Sequence, residues 1–354
     1  MSWIAAVVRN VDSPENRKFD FRSDVVTTPT LSMLQAIQQT TLLDDVYQED
    51  TTTQELEAFI AKITNHEASL FVLSGTMGNQ VAMRTHLGAP PHSIICDHRA
   101  HVALYEAGGA ASLCGAYIKT LVPKNGHHLT LEDIQANAVL DDDVHGCPTK
   151  VISLENTING TVIPLDECRR ISKWAREHEI IVHLDGARLW EAVAAGAGSL
   201  LDYAACFNSM SLCFSKGLGA PIGSVLVGNR AFIKRARWVR KMFGGGLRQA
   251  GVVSSAARVA VEETFLGGQL KAGHEKAQKL GEYWEGLGGK LKEAVETNMV
   301  WIDIESMEIP TQTLISTAEK HSIRVSGGRF VIHYQISDEA IRRLQEVMKE
   351  IIIK

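Results

Sequence analysis

Ile180-Ile181-Val182-His183-Leu184-Asp185-Gly186 runs through apolar residues to an acid, and Met210-Ser211-Leu212-Cys213-Phe214-Ser215 leads in the same way to Lys216 and Gly217. Neither run alternates polar with apolar residues. That is the pattern of strands buried on both faces, as in a parallel sheet covered by helices. Five further runs, 69–74, 93–97, 117–122, 151–155 and 224–227, are short and β-rich, and longer helix-suited stretches separate them. Together they predict an α/β fold with a mostly parallel seven-stranded sheet covered by helices. Each of the first five gaps is long enough for a crossover of about a dozen residues, whereas the sixth, 216–223, is too short. The last strand should therefore return as a hairpin, antiparallel to its neighbour.

Outward from this core, 231–242 is basic and helical in pattern, Gly244-Gly245-Gly246 breaks it, and a second helical region begins near Gln249. Beyond about Leu266, helical stretches such as 271–287 flank two apolar strand candidates, 299–304 and 329–334, as in a smaller α+β unit. The expected division is a large domain with an N-terminal arm, 1–262, and a small C-terminal domain, 263–354.

Hydrophobic residues make up 45% of the 354 and charged residues 22%, enough for a large buried core and against intrinsic disorder. Lys and Arg total 36 against 41 Asp and Glu, a formal net charge of -5 with no sustained basic run. This composition argues against a nucleic-acid or anionic-membrane surface. Six single Cys, none in Cys-x-x-Cys spacing, point to a reducing, cytoplasmic compartment. No stretch reaches the ~20 apolar residues that span a bilayer, and the opening segment lacks the features of a secretory signal.

Asp185 and Lys216 both sit where a buried strand meets a turn. In open α/β sheets ligands bind beyond the carboxyl ends of the strands, so an acid and an amine reach one crevice. An amine there is poised to attack a carbonyl. The cofactor that combines a lysine imine with an acidic partner for its ring nitrogen is pyridoxal 5'-phosphate. An ordinary ion pair at strand ends is the other reading. Ser74-Gly75-Thr76-Met77-Gly78-Asn79 follows the first strand and opens a helix, where free amides and the Thr76 hydroxyl can face a phosphate; a plain strand-to-helix turn would look the same. It is not a dinucleotide fingerprint. His101 and Tyr105 share a helical face, and His101 could stack on an aromatic cofactor or be purely structural. Arg188 and Arg329 are candidate anion holders, or salt-bridged arginines. No metal-ligand spacing is present.

The chain resembles the L-threonine aldolases of the aspartate aminotransferase fold, type I among pyridoxal-phosphate enzymes. The resemblance covers 19–335. Its motifs are Asp20-Phe21-Arg22-Ser23-Asp24, Asp45-Val46-Tyr47-Gln48-Glu49-Asp50, the 74–79 turn, His183-Leu184-Asp185-Gly186-Ala187-Arg188, Ser215-Lys216-Gly217-Leu218-Gly219-Ala220-Pro221-Ile222-Gly223 and Gly244-Gly245-Gly246-Leu247-Arg248-Gln249. The resemblance implies that Lys216 is the Schiff-base lysine, that Asp185 pairs with the pyridine nitrogen and that His101 stacks on the ring. It implies that Gly75 and Thr76 bind the phosphate, with Arg248 reaching it from a neighbouring subunit. It also implies that Ser23, Arg188 and Arg329 hold the substrate carboxylate and that Tyr47 approaches across an interface, in a dimer or tetramer acting on a small amino acid. Many members carry a His in the loop after the fourth strand; here that loop reads Glu155-Asn156-Thr157-Ile158-Asn159-Gly160. Aldol cleavage needs a proton taken from the β-hydroxyl, and neither Ile158 nor Asn159 is a base at neutral pH. His101, or a water it holds, would then serve. The alternative is the fungal branch of the family that racemises alanine.

Overall fold

The computed structural model describes residues 17–353. The opening segment, on which the reading of a missing secretory signal and most of the N-terminal arm depend, lies outside the described residues. The seven expected strands form as β1 (Ala68–Val72), β2 (Ser93–Asp97), β3 (Tyr117–Leu121), β4 (Thr149–Glu155), β5 (Ile181–Gly186), β6 (Ser209–Cys213) and β7 (Ser224–Gly228). They make one sheet in the order β1-β7-β6-β5-β4-β2-β3. Every residue of β2, β6 and β7 is buried, which explains why their sequences carry no alternation.

β3, β2, β4, β5 and β6 are mutually parallel, and β7 runs antiparallel to both β6 and β1. The short 216–223 gap thus does make a hairpin. Because β1 shares the direction of β6, the carboxyl ends of six strands lie along one edge of the sheet. The helix Gly75–His86 packs against β6 and β7, close enough that a Cβ on Gly78 would run into Ser211 Oγ.

A second hydrophobic core forms around Trp284, Phe330, Ile332 and Leu344, and Phe21 from near the start of the described chain is buried in it. Its strands β8 (Met299–Trp301) and β9 (Arg329–Val331) are shorter than the apolar runs that announced them and pair antiparallel. The helix Gln269–Gly286 faces this core with Leu280 and Trp284, while Leu270 at its start belongs to the large core. All six cysteines are free, and among the described residues no helix is long and apolar enough to cross a membrane.

Candidate active site

The shared edge gathers the charged residues that end the apolar runs. In parallel strands, register partners present side chains to the same face, and Glu155 of β4 is the partner of Asp185 in β5. Asp185 is buried and fixed at both oxygens: Oδ1 accepts the Ala187 N–H at 3.0 Å and Oδ2 accepts Asn79 Nδ2 at 2.7 Å. The same Asn79 amide donates to Glu106 Oε1 at 2.7 Å, and its oxygen faces His183 Nε2 at 3.2 Å. Burial drives the His183 pKa down to about 3, so the ring is neutral and donates from Nε2.

His101 opens a single helical turn, His101–Leu104, with Tyr105 as its C-cap. Tyr105 lies 5.6 Å away ring to ring, but the partner of the imidazole is Glu106, 2.9 Å from Nδ1. That hydrogen bond raises the His101 pKa against the opposing effect of burial, with Asp185 adding to it. One ligand atom each from His101, Glu106 and Asp185 lies within 4.8 Å of the others, and Asn79 already bonds both carboxylates. Glu155 Oε2 accepts the His101 N–H at 2.7 Å. Burial first, and then Asp185, push the Glu155 carboxyl up to about 7.

Lys216 follows β6 in the turn to β7. Its carbonyl accepts Thr27 Oγ1 at 2.7 Å and the Gly219 N–H at 2.9 Å, which ties the turn to the N-terminal segment. The side chain is half-buried, takes no ion-pair partner among the described residues, and its charge acts on Asp24, His101 and Glu155.

Ser74 caps the helix Gly75–His86 by accepting the Met77 N–H at 3.1 Å, and its carbonyl takes the Gly78 N–H. The amides of Gly75 and Thr76 are left at the positive end of the helix. The buried Ser224 hydroxyl has no partner and would lie 3.8 Å from a Cβ on Gly75. Unsatisfied donors at a helix N-terminus beside an exposed turn suit a phosphate. A fixed carboxylate for a ring nitrogen, an imidazole for a ring face and a lysine complete the donor set of pyridoxal 5'-phosphate, so the residues present fit that group.

The three residues expected on a substrate carboxylate also converge. Arg188 is bound bidentately by Asp24, at 2.7 and 2.6 Å, and Asp24 follows Ser23. Burial opposes both charges, yet each stabilises the other: Asp24 falls to about 2 and Arg188 is held above its ordinary value. Arg329 donates to the Arg22 carbonyl at 2.8 Å and lies 5.7 Å from the Trp301 ring centroid. Burial and the charge of Arg188 lower its pKa, and among the described residues it has no carboxylate partner. Arg188 is thus held by Asp24 through Nε and Nη2, and Arg329, with no carboxylate partner among the described residues, feels its charge. Arg248 and Tyr47 stand apart from this cluster: Arg248 pairs with Asp44 at 2.9 Å, lies 5.9 Å from the Tyr47 ring centroid, and both side chains are exposed.

Asn79, Glu106, Glu155 and Asp24 were not singled out from the sequence. Each nevertheless lies within or beside a motif that was, one helical turn from Gly75, directly after Tyr105, at the end of the fourth run, and next to Ser23.

Residues 20–307 match the beta-eliminating lyase family. The chain belongs to that family. Among its relatives, aldolase vrtJ of Penicillium aethiopicum is 54% identical over 100% of this chain and 91% of its own length. A low specificity L-threonine aldolase of Saccharomyces cerevisiae is 44% identical over 94% and 86%. Alanine racemase TOXG of Cochliobolus carbonum is 42% identical over 96% and 89%. The lyase fold is that of a solved Leishmania major threonine aldolase, with a TM-score of 0.82 at 20% identity over 94% of this chain and 99% of that one. The mostly parallel seven-stranded sheet expected from the strand pattern and the aspartate aminotransferase-like, type I architecture implied by the resemblance are the ones observed.

Proposed function

We propose that the protein cleaves L-threonine and L-allo-threonine to glycine and acetaldehyde by a retro-aldol reaction, with pyridoxal 5'-phosphate as its cofactor. The observation that carries this reading is the convergence of Lys216, Asp185 and His101 at one sheet edge beside the amide-lined turn at Gly75. When bound, the cofactor supplies an aldehyde for the lysine amine and a ring that takes up the electron pair of the broken Cα–Cβ bond. Lys216 anchors it. Asp185, oriented by Asn79, keeps a proton on the ring nitrogen. His101 covers a ring face, Gly75 and Thr76 hold the phosphate, and Arg248 of a neighbouring subunit reaches it in a homo-oligomer, with Tyr47 at the same interface. Ser23, Arg188 and Arg329 bind the substrate carboxylate, with Asp24 orienting the Arg188 guanidinium.

His101, or a water it holds, takes the β-hydroxyl proton. The Glu106 carboxylate on Nδ1 orients the imidazole and stabilises it when it has taken up a proton. Ile158, buried and apolar in the loop after β4, favours a second reading. In an alanine racemase no hydroxyl base is needed, the Cα proton leaves, and Lys216 is one of its carriers. The relative named alanine racemase supports keeping it.

The two readings part in a parallel assay of the purified protein with L-threonine and L-alanine. Acetaldehyde from threonine without D-alanine from L-alanine supports the aldolase. Interconversion of the alanine enantiomers with little acetaldehyde overturns it in favour of the racemase. For an aldolase, His101→Asn should depress threonine cleavage far more than exchange of the glycine Cα proton with solvent; equal losses would remove His101 from the hydroxyl.

A further inference from the structure

Behind the Lys216 turn lies a buried polar cluster that the proposed reaction does not use. Glu191, on the short helix Leu189–Ala194, is 3% exposed, and its Oε2 lies 2.6 Å from Nε2 of His274 in the helix Gln269–Gly286. Asn298, just before β8, donates to Glu191 Oε1 at 3.3 Å. The same Oε1 faces Gly217: a Cβ there would overlap it, and Leu270 would lie 3.7 Å from that Cβ. The residue after the lysine therefore has a pinned carboxylate oxygen for a wall.

The cluster has nothing to spare. His274 Nδ1 and Asn298 Oδ1 are buried without partners, so Glu191 is the group that satisfies the facing edges of both side chains. Burying a carboxylate is costly unless its hydrogen bonds are made, and here they come from two segments of the C-terminal half. Burial raises the Glu191 pKa, and the His274 hydrogen bond works against that rise. The short helix is itself anchored to β6, through Trp190 Nε1 donating to the Cys213 carbonyl at 2.9 Å. The carboxylate is thus braced from the sheet on one side and from the C-terminal segments on the other, with the lysine turn between.

We propose that Glu191 and His274 are positioning residues that hold the Gly217 turn and so aim the Lys216 amine at the cofactor aldehyde. Glycine at 217 permits the contact, and the pair makes the reach of the lysine depend on docking of the helix Gln269–Gly286. The proposal rests on the cofactor reading above but not on the choice between aldolase and racemase.

The test uses the holoenzyme and follows two readouts. One is the visible band of the lysine-bound cofactor during recapture of added pyridoxal 5'-phosphate after partial dialysis. The other is the fraction of Lys216 labelled on borohydride reduction, read by peptide mapping. Glu191→Ala should slow recapture at least tenfold and lower the labelled fraction. Glu191→Gln keeps the length, can still accept from Asn298 Nδ2 and can donate its amide N–H to His274 Nε2 once the imidazole proton sits on the unpartnered Nδ1; it should stay within about threefold of wild type. Leu280→Ala, a void in the second core, supplies the control for general loss of stability. Gly217→Ala should also slow recapture, and combining it with Glu191→Ala should cost less than the two losses multiplied. Wild-type recapture in Glu191→Ala, or a loss matched by Leu280→Ala at equal Tm, overturns the proposal while the cofactor reading stands. A wild-type protein with no visible band and no label on Lys216 overturns both.

Discussion

At the scale of single residues, the site depends on one amide. Asn79 Nδ2 reaches both Asp185 and Glu106, so the carboxylate proposed to face the ring nitrogen and the one behind His101 are set by the same side chain. Asp185→Asn should keep the size of the side chain and remove the charge, its single oxygen retaining one of the two contacts, to Asn79 Nδ2 or to the Ala187 N–H. Cofactor should remain bound while turnover falls by roughly 10²–10³, the size of a lost preorganised electrostatic contact; turnover within a few-fold of wild type would take Asp185 out of the site. Asp24 and Arg188 carry a different expectation, in stability. Asp24 holds its proton only below about pH 2 when folded, whereas an unfolded Asp titrates near ~3.9. As pH falls the unfolded chain is protonated first. The contribution of the Asp24 charge, for which Arg188 is the main partner, is roughly 2–3 kcal/mol; it is complete above the unfolded value and is lost as pH falls towards 2. Arg188→Met should flatten that acid limb in a denaturation series run from pH 5 to 2, and an unchanged limb would mean that the pair is not the acid-labile contact.

Among the elements, the loop after β4 is where the two proposed chemistries can be told apart. Trp301 Nε1 donates to the Asn159 carbonyl at 2.8 Å, Thr297 Oγ1 to that of Gly160 at 2.8 Å, and Glu296 accepts the Val162 N–H at 2.7 Å. The segment leading into β8 thus grips the loop. Asn159 has φ 52°, in the left-handed region that Asn tolerates better than most residues. Asn159→His should therefore cost about 1 kcal/mol of stability, read as a lower denaturation midpoint. It should raise threonine cleavage if the loop approaches the β-hydroxyl, and unchanged cleavage would place the loop away from it. Most strands of the large sheet were legible because burial on both faces forces unbroken apolar runs, β3 being the largely exposed exception, and the runs of β2, β4, β5 and β6 lead to Asp97, Glu155, Asp185 and Lys216 at the edge. Lys216, Asp185 and the Gly75 turn were legible for the same reason. The bond from Glu106 to His101 and the compensation of Arg188 by Asp24 were not. Each depends on where loops or distant segments cross, and spacing carries no record of that. The helix at His101 is a single turn, and Ala107 and Gly108, both at positive φ, turn the chain immediately after Glu106.

For the whole molecule, the exposed unit built from Asp44, Tyr47 and Arg248 is tied by its backbone, Asp45 N–H to the Arg248 carbonyl at 2.8 Å, and is rooted by the buried pair of Arg240 and Asp45. If it serves a neighbouring subunit, Arg248→Ala should weaken cofactor retention. Mixing it with Lys216→Ala under subunit exchange should then restore part of the activity that neither variant has alone; no recovery would assign Arg248 to its own subunit. The antiparallel return of β7 has a consequence for how the site comes into being. Lys216 lies in a hairpin turn that closes locally, whereas the contact of Asn79 with Asp185 joins residues 106 apart in the chain. Local contacts form ahead of distant ones, so the amine is in place early and its acid partner is fixed only when the helix Gly75–His86 docks on the sheet. On refolding with pyridoxal 5'-phosphate present, the visible band should lag the far-ultraviolet signal of secondary structure. The protein would then acquire its colour as one of the last events of folding, and simultaneous appearance of the two signals would show that the distant contact is not what cofactor capture waits for.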